Sequence, residues 1–253
     1  MMKAVFIVFV ILSLYMIYEN TIFRIHRITI KSDKIARDYR FVQISDFHMN
    51  SGISLKRLHQ VIKNYHPDII FITGDLIYRH TRDFTLLDQL FAGFNSPLYF
   101  VTGNHEYDNP RWNQLETILK KYSTIHIKKG YRKFNSELVI YGKDYSLPGG
   151  FEKREEETYH IFLVHDPYEY LYRMKDSFDL VLSGHTHGGQ VRLPFLGGII
   201  DNQFKFFPKY SKGLYPCRDG YLHIDSGLGS KGFLRFWNPV QITFIDLKAR
   251  NKK

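Results

Sequence analysis

The chain has 253 residues, 44% of them apolar and 16% aromatic, enough for one sizeable domain with its own core and too many for a disordered segment. Its formal net charge of +10 favours anionic partners: nucleic acid, acidic headgroups or phosphorylated substrates. The single cysteine, Cys217, excludes an internal disulfide and a thiolate metal cluster.

Residues 4–18 carry no charge, with Lys3 before them and Glu19 after. The run falls short of the ~20 apolar residues of a full span, so it is expected to cross a thin bilayer or to lie partly embedded. No small-residue cleavage site follows it, which weighs against an excised signal peptide. Residues 1–20 are therefore expected as a hydrophobic anchor helix and 21–253 as the folded domain. Only Lys3 precedes the run, whereas Arg24, Arg27, Lys31, Lys34, Arg37 and Arg40 follow it. The positive-inside tendency places the domain on the cytoplasmic side of the inner membrane, where those cations meet an anionic leaflet.

Alternation over 21–31 predicts an edge strand, and 33–39 reads as a turn. A strand at 40–45 delivers Asp46 to its end, and helical spacing follows over 54–65. The apolar run 69–73 ends at Gly74-Asp75; a helix over 83–94 leads to a strand at 98–102 that ends at Gly103-Asn104-His105. Residues 110–121 are helical, with Pro110 in a natural first-turn place. Strands are expected at 138–141, 160–164, 180–182, 221–224 and 240–245, with a short helix at 168–174 and an exposed acidic loop at 155–157. Strands alternating with helices imply a mixed or parallel sheet with covered faces, whose binding residues collect beyond the carboxyl ends of strands.

Five ordered motifs, most of them just after such strands, are Asp46-Phe47-His48, Gly74-Asp75, Gly103-Asn104-His105-Glu106, His165 in Val-His-Asp, and Gly184-His185-Thr186-His187-Gly188-Gly189-Gln190. Asp46 and His48 are two apart, as are His185 and His187, so extended backbone projects each pair from one side. Asp46, His48, Asp75, Asn104, His165, His185 and His187 are candidate metal ligands. Their mixture of carboxylate, amide oxygen and imidazole suits two divalent ions, Mn²⁺ first, with Fe or Zn²⁺ as alternatives. Two metals ~3.5–4 Å apart need a bridging group, for which Asp75 is the candidate. His105, next to Asn104, is the candidate catalytic residue, donating to a leaving-group oxygen or holding a phosphoryl oxygen. Arg192 is a candidate substrate phosphate contact.

These motifs closely resemble those of the calcineurin-like metallophosphoesterase superfamily, and the resemblance covers residues ~40–246. It implies a four-layer α/β/β/α sandwich. It also implies one metal on Asp46, His48, Asp75 and His187, and another on Asp75, Asn104, His165 and His185. The run from Gly184 to Gln190, the apolar amino terminus, Ser226-Gly227-Leu228-Gly229 and Arg235-Phe236-Trp237-Asn238-Pro239 are similar to a bacterial membrane-associated subgroup. That subgroup contains phosphodiesterases and a UDP-2,3-diacylglucosamine pyrophosphatase of lipid A synthesis. Gly74-Asp75 runs into Leu76-Ile77-Tyr78-Arg79, unlike the Asp-Arg-Gly of the superfamily's protein phosphatases. Asp166 stands where the subgroup usually has Asn, and Tyr78 where an acidic residue or Asn is common; both bear on substrate preference.

Residues 193–215 interleave aromatics with Lys205, Lys209 and Lys212 directly after the last motif, as an apolar, basic rim or as a hairpin with its aromatics packed inward. The expected activity is that of a membrane-associated phosphodiesterase or pyrophosphatase acting on a phosphorylated, lipid-linked substrate, without a nucleic-acid partner. A nuclease or cyclic-nucleotide phosphodiesterase, and a catalytically silent metal-binding scaffold, are the alternatives.

Overall fold

The structure, a computed structural model, describes residues 2–151, 157–201, 205–230 and 235–250. Glu155 and Glu156 of the expected acidic loop, and residues 202–204 of the aromatic stretch, lie outside the described residues. The chain begins with α1 (Met2–Thr21), β1 (Arg24–Ser32), β2 (Tyr39–Ile44), α2 (Leu55–Tyr65) and β3 (Ile69–Ile72). It continues through α3 (Thr85–Ala92), β4 (Leu98–Phe100), α4 (Asn104–Tyr107), α5 (Trp112–Lys121), β5 (Ile125–His126) and β6 (Lys129–Lys133). Then follow β7 (Leu138–Lys143), β8 (Tyr159–Val164), α6 (Pro167–Arg173), β9 (Leu180–Ser183), β10 (Val191–Leu193) and β11 (Gly197–Ile200). The last strands are β12 (Gly213–Cys217), β13 (Gly220–Ile224) and β14 (Gln241–Ala249).

Among the described residues the strands form two six-stranded sheets, in the orders β1-β14-β2-β3-β4-β5 and β12-β13-β9-β8-β7-β6, beside a separate β10–β11 hairpin. Residues on β2 and β3 alternate between two cores, as the period of two requires. Val42, Ile44, Ile70 and Ile72 face helices α2, α3 and α5, whose Leu58, Leu87, Phe91 and Leu115 cover them. Phe41, Ile69 and Phe71 face the other sheet and pack with Ile140, Ile161 and Leu182. On the far side of the second sheet, Val139, Phe162 and Val181 are closed off by Tyr170 of α6 and its neighbour Met174. The order of layers is therefore the expected α/β/β/α.

β2, β3 and β4 run parallel, as do β7, β8 and β9. Parallel strands buried on both faces bring their carboxyl ends to one edge, and that edge carries the motifs. α1 stands apart from the sandwich: Val5 to Leu12 are exposed, and among the described residues its last turns meet the domain through Tyr15, buried Glu19 and Asn20.

Candidate metal centre

Five strand ends build the site. Asp46 and His48 follow β2, Asp75 follows β3, Asn104 and His105 open α4 after β4, His165 follows β8, and His185 and His187 follow β9. Asp46, His48, Asp75, His185 and His187 all have left-handed backbones, with φ of 48°, 47°, 53°, 69° and 49°, so tight turns rather than the expected extended backbone aim the Asp46–His48 and His185–His187 pairs. Each costs roughly 1–2 kcal/mol for a residue with a Cβ, so the surroundings must hold it. Cross-strand hydrogen bonds do so: Asp46 N–H donates to Gly74 O and His48 N–H to Asp75 O, both at 3.0 Å, and Gly229 N–H to Asp46 O at 2.7 Å. Two glycines are required by close approach. A Cβ on Gly103 would lie 2.2 Å from Asp75 Oδ1, and one on Gly184 would lie 1.9 Å from Ser45 Oγ.

The side chains converge. Asp46, His48 and His187 offer ligand atoms within 4.8 Å of one another; so do His48, Asp75 and His105, and Asp75, His165 and His185. Asp75 Oδ2 lies 3.2 Å from His165 Nε2 and 3.7 Å from His48 Nε2, so this carboxylate stands between two groups of imidazoles. Asp46 Oδ1 is 3.7 Å from His187 Nε2 and 3.8 Å from His48 Nε2. His185 Nδ1 and His165 Nε2 approach to 3.1 Å.

Outer contacts set the tautomers. His165 Nδ1 lies 2.7 Å from Thr73 O and His187 Nδ1 3.3 Å from Gly229 O; donating there leaves each Nε2 lone pair facing the carboxylates. His105 is the reverse: its Nδ1 accepts the Arg79 N–H at 3.1 Å, which puts the proton on Nε2. Both ring nitrogens of His48 and Oδ1 of Asn104 are buried with no hydrogen-bond partner among the described residues. A neutral His48 ring offers one lone pair and Asn104 its amide oxygen, and orphaned polar atoms like these beside two carboxylates fit a bound cation, because otherwise each carries its full desolvation cost.

The electrostatics agree. Burial pushes Asp46 up to about 7 and His48 down to about 3. Burial alone would raise Asp75, but the field of His165, His48 and His105 holds it well below the usual carboxylate range. Burial alone would depress His165, yet Asp75 and Asp46 outweigh it and push the imidazole up to about 10. The pull on that proton reflects a negative pocket suited to positive charge.

Arg192 is turned onto the His187 loop rather than outward, donating from Nη1 to Gly188 O at 2.7 Å and to Ser211 Oγ at 3.1 Å. Three supports carried no assigned role in the sequence reading. Glu106 is buried and accepts four backbone N–H groups: Asp75 at 2.7 Å, Leu76 at 2.6 Å, Ile77 at 3.3 Å and Gly103 at 2.8 Å. Burial and Asp75 push it up to about 7, but a protonated carboxyl would turn an O–H against one of those donors. Arg235, wholly buried, donates to the carbonyls of Ser226 at 2.7 Å and Gly229 at 2.6 Å, the latter being the partner of His187 Nδ1. Asn238 donates from Nδ2 to His187 O at 2.7 Å. The signals were present: Glu106 directly follows two site residues, and Arg235 and Asn238 lie in one motif.

Glu106→Gln places an amide N–H against backbone donors. It is expected to lower stability by about 3 kcal/mol, the scale of a lost charge-assisted bond plus an unsatisfied donor. Urea unfolding measures this; an unchanged midpoint would mean that the carboxylate does not tie the two turns together.

The sequence pattern of the calcineurin-like phosphoesterase family matches residues 39–189, which include every candidate ligand. The uncharacterized metallophosphoesterase YkuE of Bacillus subtilis (strain 168) is 29% identical over 248 residues, covering 88% of this chain and 85% of that protein. The UDP-2,3-diacylglucosamine pyrophosphatase LpxG of Chlamydia muridarum (strain MoPn / Nigg) is 23% identical over 272 residues, covering 81% of this chain and 82% of its own length. A crystal structure of TT1561 from Thermus thermophilus aligns with a TM-score of 0.48 at 13% identity, over 75% of this chain and 90% of that one.

Proposed function

We propose, for a chain that belongs to the calcineurin-like phosphoesterase family, that it is a membrane-anchored two-metal hydrolase. It cleaves a phosphodiester or pyrophosphate bond in a lipid-linked substrate such as UDP-2,3-diacylglucosamine. The observation that carries this reading is Asp75, whose carboxylate stands between two groups of imidazoles.

In this reading Asp46, His48, Asp75 and His187 hold one ion and Asp75, Asn104, His165 and His185 the other, with Mn²⁺ the first choice before Fe or Zn²⁺. When bound, the two cations supply Lewis acidity and a hydroxide nucleophile near neutral pH. The rest is the chain's own work. The Ser45 hydroxyl at 2.6 Å and the His185 N–H at 3.1 Å hold Asp46 Oδ2 in place. His105 presents its Nε2 proton to the leaving-group oxygen. Arg192 keeps the His187 loop in shape and so acts on the substrate through that loop.

Three features support the lipid part. α1 carries the uncharged run 4–18, about 22 Å of helix, enough to cross a thin bilayer or lie embedded in one, and its apolar faces are almost entirely uncovered. The relative LpxG carries a lipid-nucleotide pyrophosphatase name. The cations that follow α1, from Arg24 to Arg40, favour a domain on the cytoplasmic side of the inner membrane.

The test is hydrolysis by full-length, detergent-purified protein with Mn²⁺. UDP-2,3-diacylglucosamine is set beside bis-p-nitrophenyl phosphate, single-stranded DNA and a cyclic nucleotide. The expected result is rapid release of UMP and a lipid phosphate, with DNA and the cyclic nucleotide spared. Turnover of the generic diester alone would remove the lipid nucleotide and leave the two-metal chemistry.

A further inference from the structure

Several apolar side chains left exposed among the described residues are gathered in one region. Phe195, at the tip of the β10–β11 hairpin, is fully exposed, Leu196 follows it, and Phe206, Phe207 and Trp237 are each more than half exposed. Backbone contacts make these pieces continuous. Phe207 N–H donates to Ile199 O at 2.9 Å, Arg192 N–H to Phe236 O at 2.9 Å, and Phe236 N–H to Gln190 O at 3.0 Å. Tyr15 of α1 joins them: its ring lies edge-on to Phe236 at 5.4 Å, and its hydroxyl accepts the Trp237 N–H at 3.2 Å.

α1 is not a loose leash. Glu19 Oε2 accepts the Asn238 N–H at 2.5 Å, and Glu19 O accepts the Val240 N–H at 2.9 Å. Asn20 O accepts from Asn50 Nδ2 at 2.8 Å, and Asn20 Oδ1 from the Ser230 hydroxyl at 3.0 Å. These bonds set the helix direction against the domain. Tyr15 lies one turn before Glu19, about 6 Å along the axis, so Phe236 and Trp237 stand beside α1 at the level of its apolar residues. A helix inserted to that depth brings them to the headgroup boundary.

We propose that Phe195, Leu196, Phe206, Phe207 and Trp237 form a second bilayer contact, seated in the headgroup–acyl boundary of a leaflet rich in acidic lipid. It holds the loops of the metal centre against the lipid surface. Exposed Lys205 and Lys209 flank the two phenylalanines and supply the charge complement to acidic headgroups. Continuity with an uncovered 20-residue apolar helix, and a tryptophan at its interfacial end, favour a bilayer over a protein as the occupant. The proposal rests on reading α1 as inserted and deepens the membrane part of the proposed function.

The chain has two tryptophans, Trp112 and Trp237, so Trp112→Phe leaves one reporter at the rim, and Phe195→Trp in a Trp112→Phe, Trp237→Phe background places another at the hairpin tip. Each full-length variant is reconstituted into phosphatidylcholine–phosphatidylglycerol vesicles containing lipids brominated near the headgroup. Both reporters are expected to shift to the blue and to lose emission to bromine, and Lys205→Glu with Lys209→Glu should reduce the loss at position 195. Protein that floats with the vesicles while the reporter at 195 stays unquenched would overturn the rim and keep α1 as the anchor. Protein that fails to float would overturn both. A reporter at 195 that is shielded from aqueous acrylamide yet untouched by bromine would assign the patch to a protein partner and overturn the proposal.

Discussion

Asp75→Asn is expected to lower phosphodiester hydrolysis by roughly a thousandfold or more and to take manganese stoichiometry below two. The size follows from position. Asp75 Oδ2 lies within 4.0 Å of His48, His105 and His165, so one carboxylate serves both groups of imidazoles. Loss of a single electrostatic stabiliser already costs about 10²–10³ in rate, and here two ion sites are weakened at once. Asn retains the oxygen that accepts the His105 N–H at 2.9 Å, so the local fold should persist. Asp46→Asn is the comparison, because Asp46 Oδ1 lies beside the His48 and His187 imidazoles and its loss should weaken one ion more than the other. Calorimetric titration with Mn²⁺ and a thermal melt separate loss of metal from loss of fold. Two ions bound by Asp75→Asn, with activity within tenfold of the parent, would end the bridging assignment.

The ligands were readable because their chemistry is carried by residue type and short spacing. The buried strands were readable because apolar runs such as 69–72 stop at glycine and aspartate. Helix α2 begins where Ser54 caps it, accepting the Arg57 N–H at 3.2 Å. What escaped depends on distant partners. β1 pairs in parallel with β14, joining the two ends of the chain, and no local pattern announces this. β12 contains Pro216, a residue that argues against a strand until the strand proves to lie at a sheet edge. α1 runs on to Thr21 because Glu19 and Asn20 find partners more than two hundred residues away at Asn238 and Ser230. The aromatics of 193–215 were open between inward and outward packing, and the structure divides them: exposed Phe195, Phe206 and Phe207 point outward, while Tyr210 and Tyr215 pack against the core of the second sheet. The two departures from the subgroup pattern also have places. Asp166 caps α6 by accepting the Tyr168 N–H at 2.8 Å, as Asn would, and Tyr78 stacks on His48 at 4.7 Å between ring centres.

Tyr78 also walls the space into which His105 opens, a cavity of ≈ 450 Å³ lined by Tyr78, Arg79, His80, Thr81 and His105. The Arg79 N–H at 3.1 Å occupies Nδ1, so the ring can give a proton only from Nε2, which points towards Asp75 at 4.0 Å. His105→Asn is therefore expected to slow substrates with poor leaving groups, such as alkyl phosphodiesters or the lipid diphosphate, by about 10²–10⁴, the range of general acid catalysis. A p-nitrophenyl leaving group needs no proton, so bis-p-nitrophenyl phosphate should lose far less. Rates across a series of aryl and alkyl esters measure the difference: the variant should depend more steeply on leaving-group pKa than the parent. A uniform loss across the series would instead assign His105 to holding a phosphoryl oxygen, because that interaction does not depend on the group expelled. Equal slopes with losses under tenfold would remove His105 from the chemistry and leave it a structural neighbour of His48, against which its ring stands edge-on at 4.9 Å.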